Sequence, residues 1–454
     1  MRHARRSHSG LLTAFAGTLC LGGHASALPD ATSPPQAHFR LANGLEVVVE
    51  ENHREPHVAV LVSYDIGTRD EPLGYGSLAH LVEHLTFRRS RHLEDYRALE
   101  LLERAGCERM NGETYDDRTL YYAVVPSKAL ALALWIESER MGFTLETFDQ
   151  KAVDHERDVL RAEIGIKHDA RRRLLAHVAT ALYGAKHPYA GQVDPERDLD
   201  DLTLRDTQFF FQSGYRPDNA HLVIVGDVTL ADGRALAERY FGGLANPATA
   251  RAARRTLTPA RAHGTRLVYR SREFTSFLLT AYRAPANGTR AHVAAELLAY
   301  ALQFILKPKL VDQQRVALGM HVGLEDTGVD SHFVIRMVPR AGVGFEELET
   351  ALRVTLAGVT EERLRDALRE ARAGLVEEGW VMLENPLARA RAHVEALAFE
   401  GHPSDPDARI KALMGLTVTD LMPLLASFKD PLVVAEMLHD RDVGPAGGVE
   451  VFEP

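Results

Sequence analysis

Two histidines and a glutamate fall within five residues in "HLVEH", His80 to His84. Imidazole nitrogen and carboxylate oxygen are donors that a divalent metal takes, and here they interrupt an apolar run, "YGSLAHLVEHLTF". Wound as a helix at roughly 100° per residue, Leu78, Leu81, Val82 and Leu85 form one stripe at i, i+3, i+4 and i+7. His80 and His84 emerge on the opposite side, about 40° apart, with Glu83 beside them. Histidines at i and i+4 bring two ring nitrogens within reach of one Zn2+. Glu83, one position out of register, is placed to work on a water next to such an ion instead of ligating it. A wet amphipathic helix with two surface histidines has the same pattern, so the reading turns on a third ligand.

A catalytic zinc takes three protein ligands and keeps a further position open. The stretch "KAVDHERDVLRAEIGIKHDA" carries Glu156, Val159, Leu160 and Glu163 at i, i+3, i+4 and i+7. Two carboxylates therefore share the helical stripe expected to face inward. A buried, unpaired carboxylate is costly, and a cation on that face removes the objection. Salt bridges from Arg157 or Arg161 at a partly exposed helix edge would remove it equally well, and spacing alone does not give the distance from Glu163 to His80.

The elements that must carry these residues read as two successive α+β units. The chain has 454 residues, 45% hydrophobic and 26% charged, which exceeds one typical core. In the first unit, 38–244, "FRLANGLEVVVEENHREPHVAVLVSYDIG" reads as a hairpin of 45–51 with 57–66. The HLVEH helix follows with Ser77 as its N-cap, then a helix ending near Gly106, the strands "CERMNGET" and "TLYYAVVP", and further helices before "NAHLVIVGDV". A polar Ala/Pro-rich linker spans 245–264. The second unit, 265–440, repeats the order of elements without the HLVEH motif. The fold expected is α+β, two homologous domains, each an antiparallel β-sheet with helices packed on one face.

The ends and the charge set the context. "MRHARRSHSG", the apolar "LLTAFAGTLCLGG" and the small residues Ala25, Ser26 and Ala27 have the form of a signal peptide cleaved after Ala27. Its apolar stretch is short of the ~18 residues that span a bilayer, and no stable membrane anchor is expected. Removing 1–27 deletes Arg2, Arg5 and Arg6 and no acid, which takes the formal charge from −10 to −13. That acidity and the lack of a basic patch speak against nucleic acid as a partner, and export implies a periplasmic or secreted protein. Cys20 leaves with the leader, so Cys107 is alone and no intramolecular disulfide forms.

"LANGLEVVVEEN", "IGTRDEPLGYGSLAHLVEHLTF", "MNGETYDDRTLYYAVV" and "ERDVLRAE" resemble, in order and approximate spacing, the pitrilysin or M16 metallopeptidases, which include the mitochondrial processing peptidases and insulin-degrading enzyme. The inverted H-x-x-E-H order is itself a metallopeptidase signature. The resemblance covers 38–440, is strongest in 38–165 and implies a LuxS/MPP-like metallohydrolase fold. It implies His80 and His84 as Zn2+ ligands, Glu163 as the third ligand, Glu83 as the general base and Glu156 as an auxiliary catalytic acid. Asn111 matches an asparagine that contacts substrate, on a strand whose edge docks peptide by β-addition. Zinc is the expected ion, although inverted motifs also take Mn2+ or Co2+.

Two departures qualify the resemblance. Arg88 and Arg89 replace small residues after the HLVEH helix, and "GCERMNG" replaces a small-residue run, with Cys107 expected to be an inert, buried thiol. In the second half, Gln313 and Met320 stand where active members carry Arg and Tyr; Gln is a weaker donor to a developing anion than guanidinium, and Met is no donor. The resemblance thus implies a zinc endopeptidase for oligopeptides or unfolded segments, working as the zinc-bearing subunit of a heterodimer. Its partner would be a second half-size chain that supplies the Arg/Tyr pair. An active homodimer, a catalytically silent assembly subunit and an exported zinc-binding scaffold are the alternatives.

Overall fold

The computed structural model describes residues 34–72, 74–167, 170–190, 199–249, 251, 257–260, 262–271, 275–439 and 450–452. The leader expected at 1–27 and part of the expected linker lie outside the described residues. Strands β1 (Gln36–Arg40), β2 (Glu46–Glu51), β3 (His57–Tyr64), β4 (Arg109–Thr114), β5 (Thr119–Pro126) and β6 (Ala220–Gly226) form one six-stranded sheet, ordered β1-β2-β6-β3-β5-β4. A second contains β7 (Thr265–Ser271), β8 (Phe277–Ala284), β9 (Ala317–Asp326), β10 (Ser331–Pro339), β11 (Val433–His439) and β12 (Glu450–Phe452), ordered β12-β7-β11-β8-β10-β9. From the second strand of each order onward, the two sheets repeat one topology.

Three expectations need correction. The sheets are mixed: β2 runs parallel to β6, and β7 runs parallel to both β11 and β12. β6 and β11 return only after long helical connections, which free them from the antiparallel direction that a short turn imposes. For the same reason 45–51 and 57–66 do not form a hairpin. β6, apolar on both faces, takes the slot between β2 and β3 and pairs with each. The segment 52–56 is long enough to step across one intervening strand at a spacing of ~4.8 Å.

The first unit carries α1 (Leu78–Arg88), α2 (Arg97–Arg104), α3 (Leu130–Phe143), α4 (Gln150–Lys167), α5 (Ala170–Tyr183), α6 (Leu204–Gly214) and α7 (Leu230–Phe241). The second carries α8 (Arg290–Lys307), which runs on into a π-helical turn at Pro308–Gln313, then α9 (Phe345–Ala357), α10 (Glu361–Glu384), α11 (Pro386–Phe399), α12 (Pro406–Gly415) and α13 (Val418–Leu421). Among the described residues no single helix is long and apolar enough to cross a membrane.

Helices cover both faces of each sheet, not one. Val47 and Val49 face the main core with α1 and α3, while Val48, on the other side of β2, is equally buried. A strand that is apolar on both faces demands a second cover, and each half provides it for the other. From the second half, Leu387, Ala390, Val394 and Leu397 of α11 pack on Val48, Leu61 and Val223 of the first sheet. In return, Val178 and Leu182 of α5 pack on Leu279, Val433 and Met437 of the second. Each fully buried aliphatic side chain contributes about 1.5–3 kcal/mol, so this reciprocal exchange welds the halves. At its centre Glu50 of β2 is held by Arg389 Nε at 3.1 Å and His393 Nε2 at 2.9 Å, all three side chains being at most 2% exposed.

Candidate metal centre

α1 forms as its periodicity dictates: Leu78, Leu81, Val82 and Leu85 are all buried in the first core. Ser77 is at the N-cap position with a left-handed backbone, φ 71°, and its side chain makes no capping bond. The Ala79 amide near the start of the helix donates instead to the Glu71 carboxylate at 2.7 Å. At the far end the buried Arg140 guanidinium donates to the Thr86 carbonyl at 2.8 Å, between the rings of Phe87 and Tyr121 and beside Glu137. A cation at a helix C-terminus complements the carbonyl dipoles there.

His80 and His84 stand half-buried on the remaining side, with ring centroids 4.8 Å apart. α4 packs against α1 and brings Glu163 to them. One ligand atom from each of His80, His84 and Glu163 lies within 4.8 Å of the others, and among the described residues this is the one such group. Nε2 of His84 is 3.3 Å from Glu163 Oε2. The arginines of α4 pair elsewhere: Arg157 with Asp154 at 2.7 Å, and Arg161 with Asp158 and Asp200. Val159, expected on the same inward stripe, is 38% exposed. The donor set, two imidazoles and one carboxylate from two packed helices, fits Zn2+.

Glu156 belongs to this cluster through His84. Its Oε2 is 3.3 Å from His84 Nδ1, and the Tyr96 hydroxyl donates to its Oε1 at 2.7 Å. A carboxylate on one ring nitrogen leaves the other free for a metal, so the geometry makes Glu156 a positioning residue for His84. Burial opposes charge on His84, but the Glu156 and Glu163 carboxylates prevail and raise its pKa to about 9. Glu156 itself stays below the usual carboxylate range: its burial is outweighed by the hydrogen bonds from His84 and Tyr96. Burial and the Glu156 carboxylate push the Tyr96 phenol up to about 12.

Glu83 is not on the open face of α1 but turned, 7% exposed, onto the edge strand β4. Thr114 Oγ1 donates to its Oε2 at 2.6 Å. Gly112 makes room for it: a Cβ there would lie 2.8 Å from Glu83 Oε1 and 2.7 Å from Phe87 Cε2. Burial raises the Glu83 pKa, with Glu163 and Glu113 adding to the effect and His84 and Thr114 opposing it. A carboxylate so placed is a stronger base than one in water.

Asn111 lies on β4, opposite Tyr122. Strand alternation puts its side chain on the face away from Gly112 and Thr114. Glu113 shares that face and is held there by Arg391 of α11 at 2.6 and 2.8 Å. The bond from the Tyr115 amide to the Arg118 carbonyl fixes the phase of the β4–β5 hairpin. Met110, Gly112 and Thr114 accordingly turn their amides and carbonyls to the open edge. Gln313 is exposed at the end of the π-helical turn, its Oε1 accepting from Lys309 Nζ at 3.3 Å. Met320 lies on β9 and packs partly into the second core. Cys107 is half-buried, and burial raises its thiol pKa, which makes it a poor nucleophile.

The sequence reading missed Tyr96, Gly112, Thr114 and Arg140. "MNGET" held a hint in a glycine inside a strand, and "WIESERM" held another in charges within an apolar helix; nothing marked Tyr96.

The Insulinase (Peptidase family M16) model matches residues 46–191, and the Peptidase M16 inactive domain model matches 201–373. The probable mitochondrial-processing peptidase subunit beta of Schizosaccharomyces pombe is 31% identical over 45% of this chain and 44% of its own length. The zinc protease PqqE of Helicobacter pylori is 27% identical over 63% of this chain and 65% of its own length. The matches thus span between about half and two thirds of these relatives. The crystal structure of the periplasmic protease PqqL from Escherichia coli shares the fold, with a TM-score of 0.74 and 18% identity over 91% of this chain and 48% of that one. Matched by both halves of the family's domain pair, the chain belongs to the M16 peptidase family.

Proposed function

We propose that this chain is a zinc endopeptidase subunit that cuts oligopeptides or unfolded segments, and that it works in a periplasmic or secreted setting with a second half-size chain. The observation that carries the reading is the convergence of His80, His84 and Glu163 within 4.8 Å, with the buried Glu83 one residue from a ligand on the same helix.

His80, His84 and Glu163 would hold the ion, which when bound supplies Lewis acidity to a peptide carbonyl and acidifies water. Glu83 accepts the proton of the attacking water and returns it to the leaving amine. Its burial keeps it basic, and Thr114 keeps it aimed. The open edge of β4 offers the Met110, Gly112 and Thr114 backbone groups to an extended substrate, which selects an unfolded segment over a folded one. A second chain that supplies donors to the developing oxyanion would complete the site where Gln313 and Met320 stand.

Gln313 and Met320 favour a second reading, a silent assembly subunit, because neither gives a cationic or phenolic donor. Assay of an unstructured peptide by the purified chain, alone and with any co-purifying partner, separates the two. Glu83→Gln should lower turnover of the active assembly by about 10²–10⁴-fold while zinc stays bound. Unchanged turnover would assign the chemistry to another protein, and high activity of the homogeneous single chain would remove the need for a partner.

A further inference from the structure

Arg88, the last residue of α1, and Arg89 after it fasten the loop that follows. Arg88 Nη2 and Arg89 Nε donate to the two oxygens of Asp95 at 2.5 and 2.6 Å. The next residue, Tyr96, has φ 59°, a left-handed conformation unusual for a side chain of this size. Its amide donates to the Arg88 carbonyl at 2.5 Å, and the Arg88 guanidinium lies 5.9 Å from the ring centroid. An outlier held by this many contacts is over-determined by its surroundings.

The result is to deliver one hydroxyl to one place. The Tyr96 oxygen sits 2.7 Å from Glu156 Oε1, and the other Glu156 oxygen sits on His84 Nδ1. Glu156 is 2% exposed, so its carboxylate relies on the protein's own donors. The cations nearest Oε1 are farther off, Arg88 Nε at 3.7 Å and His155 Nε2 at 3.9 Å.

We propose that Tyr96, braced by Arg88 and Asp95, is a positioning residue for the metal centre. Its phenol fixes the Glu156 carboxylate, which in turn orients the His84 ring so that Nε2 faces the ion. The inference rests on the zinc reading of His80, His84 and Glu163 and adds an outer partner from the loop between α1 and α2. Hydrogen bonds of this outer kind change metal affinity by about 10–100-fold.

The test uses the full chain, with its partner if one co-purifies, and measures Zn2+ affinity by competition with a chromophoric chelator and the visible spectrum of the Co2+-loaded form. Tyr96→Phe keeps the ring and removes only the hydroxyl. The expected result is Zn2+ binding weaker by about tenfold or more and a shifted Co2+ band, with the unfolding midpoint near that of wild type. Asp95→Asn, which loosens the brace one step away, should move both readouts in the same direction by less. Wild-type affinity and an unchanged Co2+ band in Tyr96→Phe would overturn the proposal, even if the variant were less stable. A wild-type chain that binds no Zn2+ would instead overturn the reading of the site, and the brace with it.

Discussion

β4 and β9 hold equivalent places, each the last strand of its sheet beyond β5 or β10, and each faces a helix that follows the sheet's earlier strands. At β4 the helix presents Glu83 beside Gly112, and among the described residues no further strand pairs with the outward backbone groups. At β9 the helix presents Gln303, whose carboxamide accepts from the Val322 amide at 2.8 Å and donates to the Met320 carbonyl at 3.3 Å. Those are outward-facing groups of the second edge, so a side chain occupies there the bonds that an added strand would make. One duplicated scaffold thus keeps one edge open next to a carboxylate and closes the other with an amide. A free edge invites pairing with any extended chain, and closing the edge at β9 confines such pairing to the half that carries His80, His84 and Glu163.

The weld between the halves is the most sensitive point of that comparison. Arg389→Ala leaves Glu50 and His393 buried without their cation and should cost about 3–5 kcal/mol, read from denaturant unfolding. A loss below 1 kcal/mol would mean that the two edges are not held in one rigid frame by this cluster. Glycine at the edges comes next. Gly112→Ala drives a methyl onto Glu83 and Phe87, and displacing a reacting group by about 1 Å costs on the order of 100-fold in rate. Gly319→Ala on β9 meets no atom within 4 Å and should leave turnover unchanged. Equal effects at both positions would erase the distinction between the edges.

Gln303→Ala uncovers the Val322 amide and the Met320 carbonyl and should cost about 1–2 kcal/mol, with new self-association visible by sedimentation. Unaltered stability and no association would show that the amide does not guard the edge. The smallest effect is the response to pH, which differs between the sheets. In the first, His221 of β6 lies 3.0 Å from Glu46 of β2 and 3.4 Å from Asp65. Burial opposes its charge, but these carboxylates lift it from 6.5 to about 9. Its contribution to stability is therefore complete below pH 6.5 and is lost as pH rises through about 9. Glu46, lowered from 4.5 to about 2 mainly by its hydrogen bond with His221, contributes fully above pH 4.5 and loses that as pH falls through about 2. The second sheet uses Arg266 with Glu436 between β7 and β11, and arginine keeps its charge throughout. The stability gap between wild type and His221→Gln should close above pH 9, while the gap for Arg266→Gln should persist.

What the sequence made legible follows from how far each signal reaches along the chain. The HLVEH face was readable because helical period alone separates Leu78, Leu81, Val82 and Leu85 from the two histidines. Glu156 and Glu163 were readable as a pair on one stripe, although their approach to His84 had to come from tertiary packing of α4 on α1. The parallel partner of β2 was not readable: a strand apolar on both faces looks the same whichever neighbour it has. Tyr96 contacts Glu156 across 60 positions, and its backbone conformation left no mark in the local residues. Gln303 looks like any polar residue on an amphipathic helix until the edge it covers is known. Glu83 was expected on the open side with the histidines, and only Gly112 explains how a carboxylate fits against the strand.

Metal content tests the central claim most directly. The wild-type chain, dialysed against dilute Zn2+ and analysed by plasma mass spectrometry, should retain about one zinc per chain, and His84→Ala and Glu163→Gln should each retain far less under the same conditions. Stoichiometric zinc in both variants, or none in the wild type, would contradict the account.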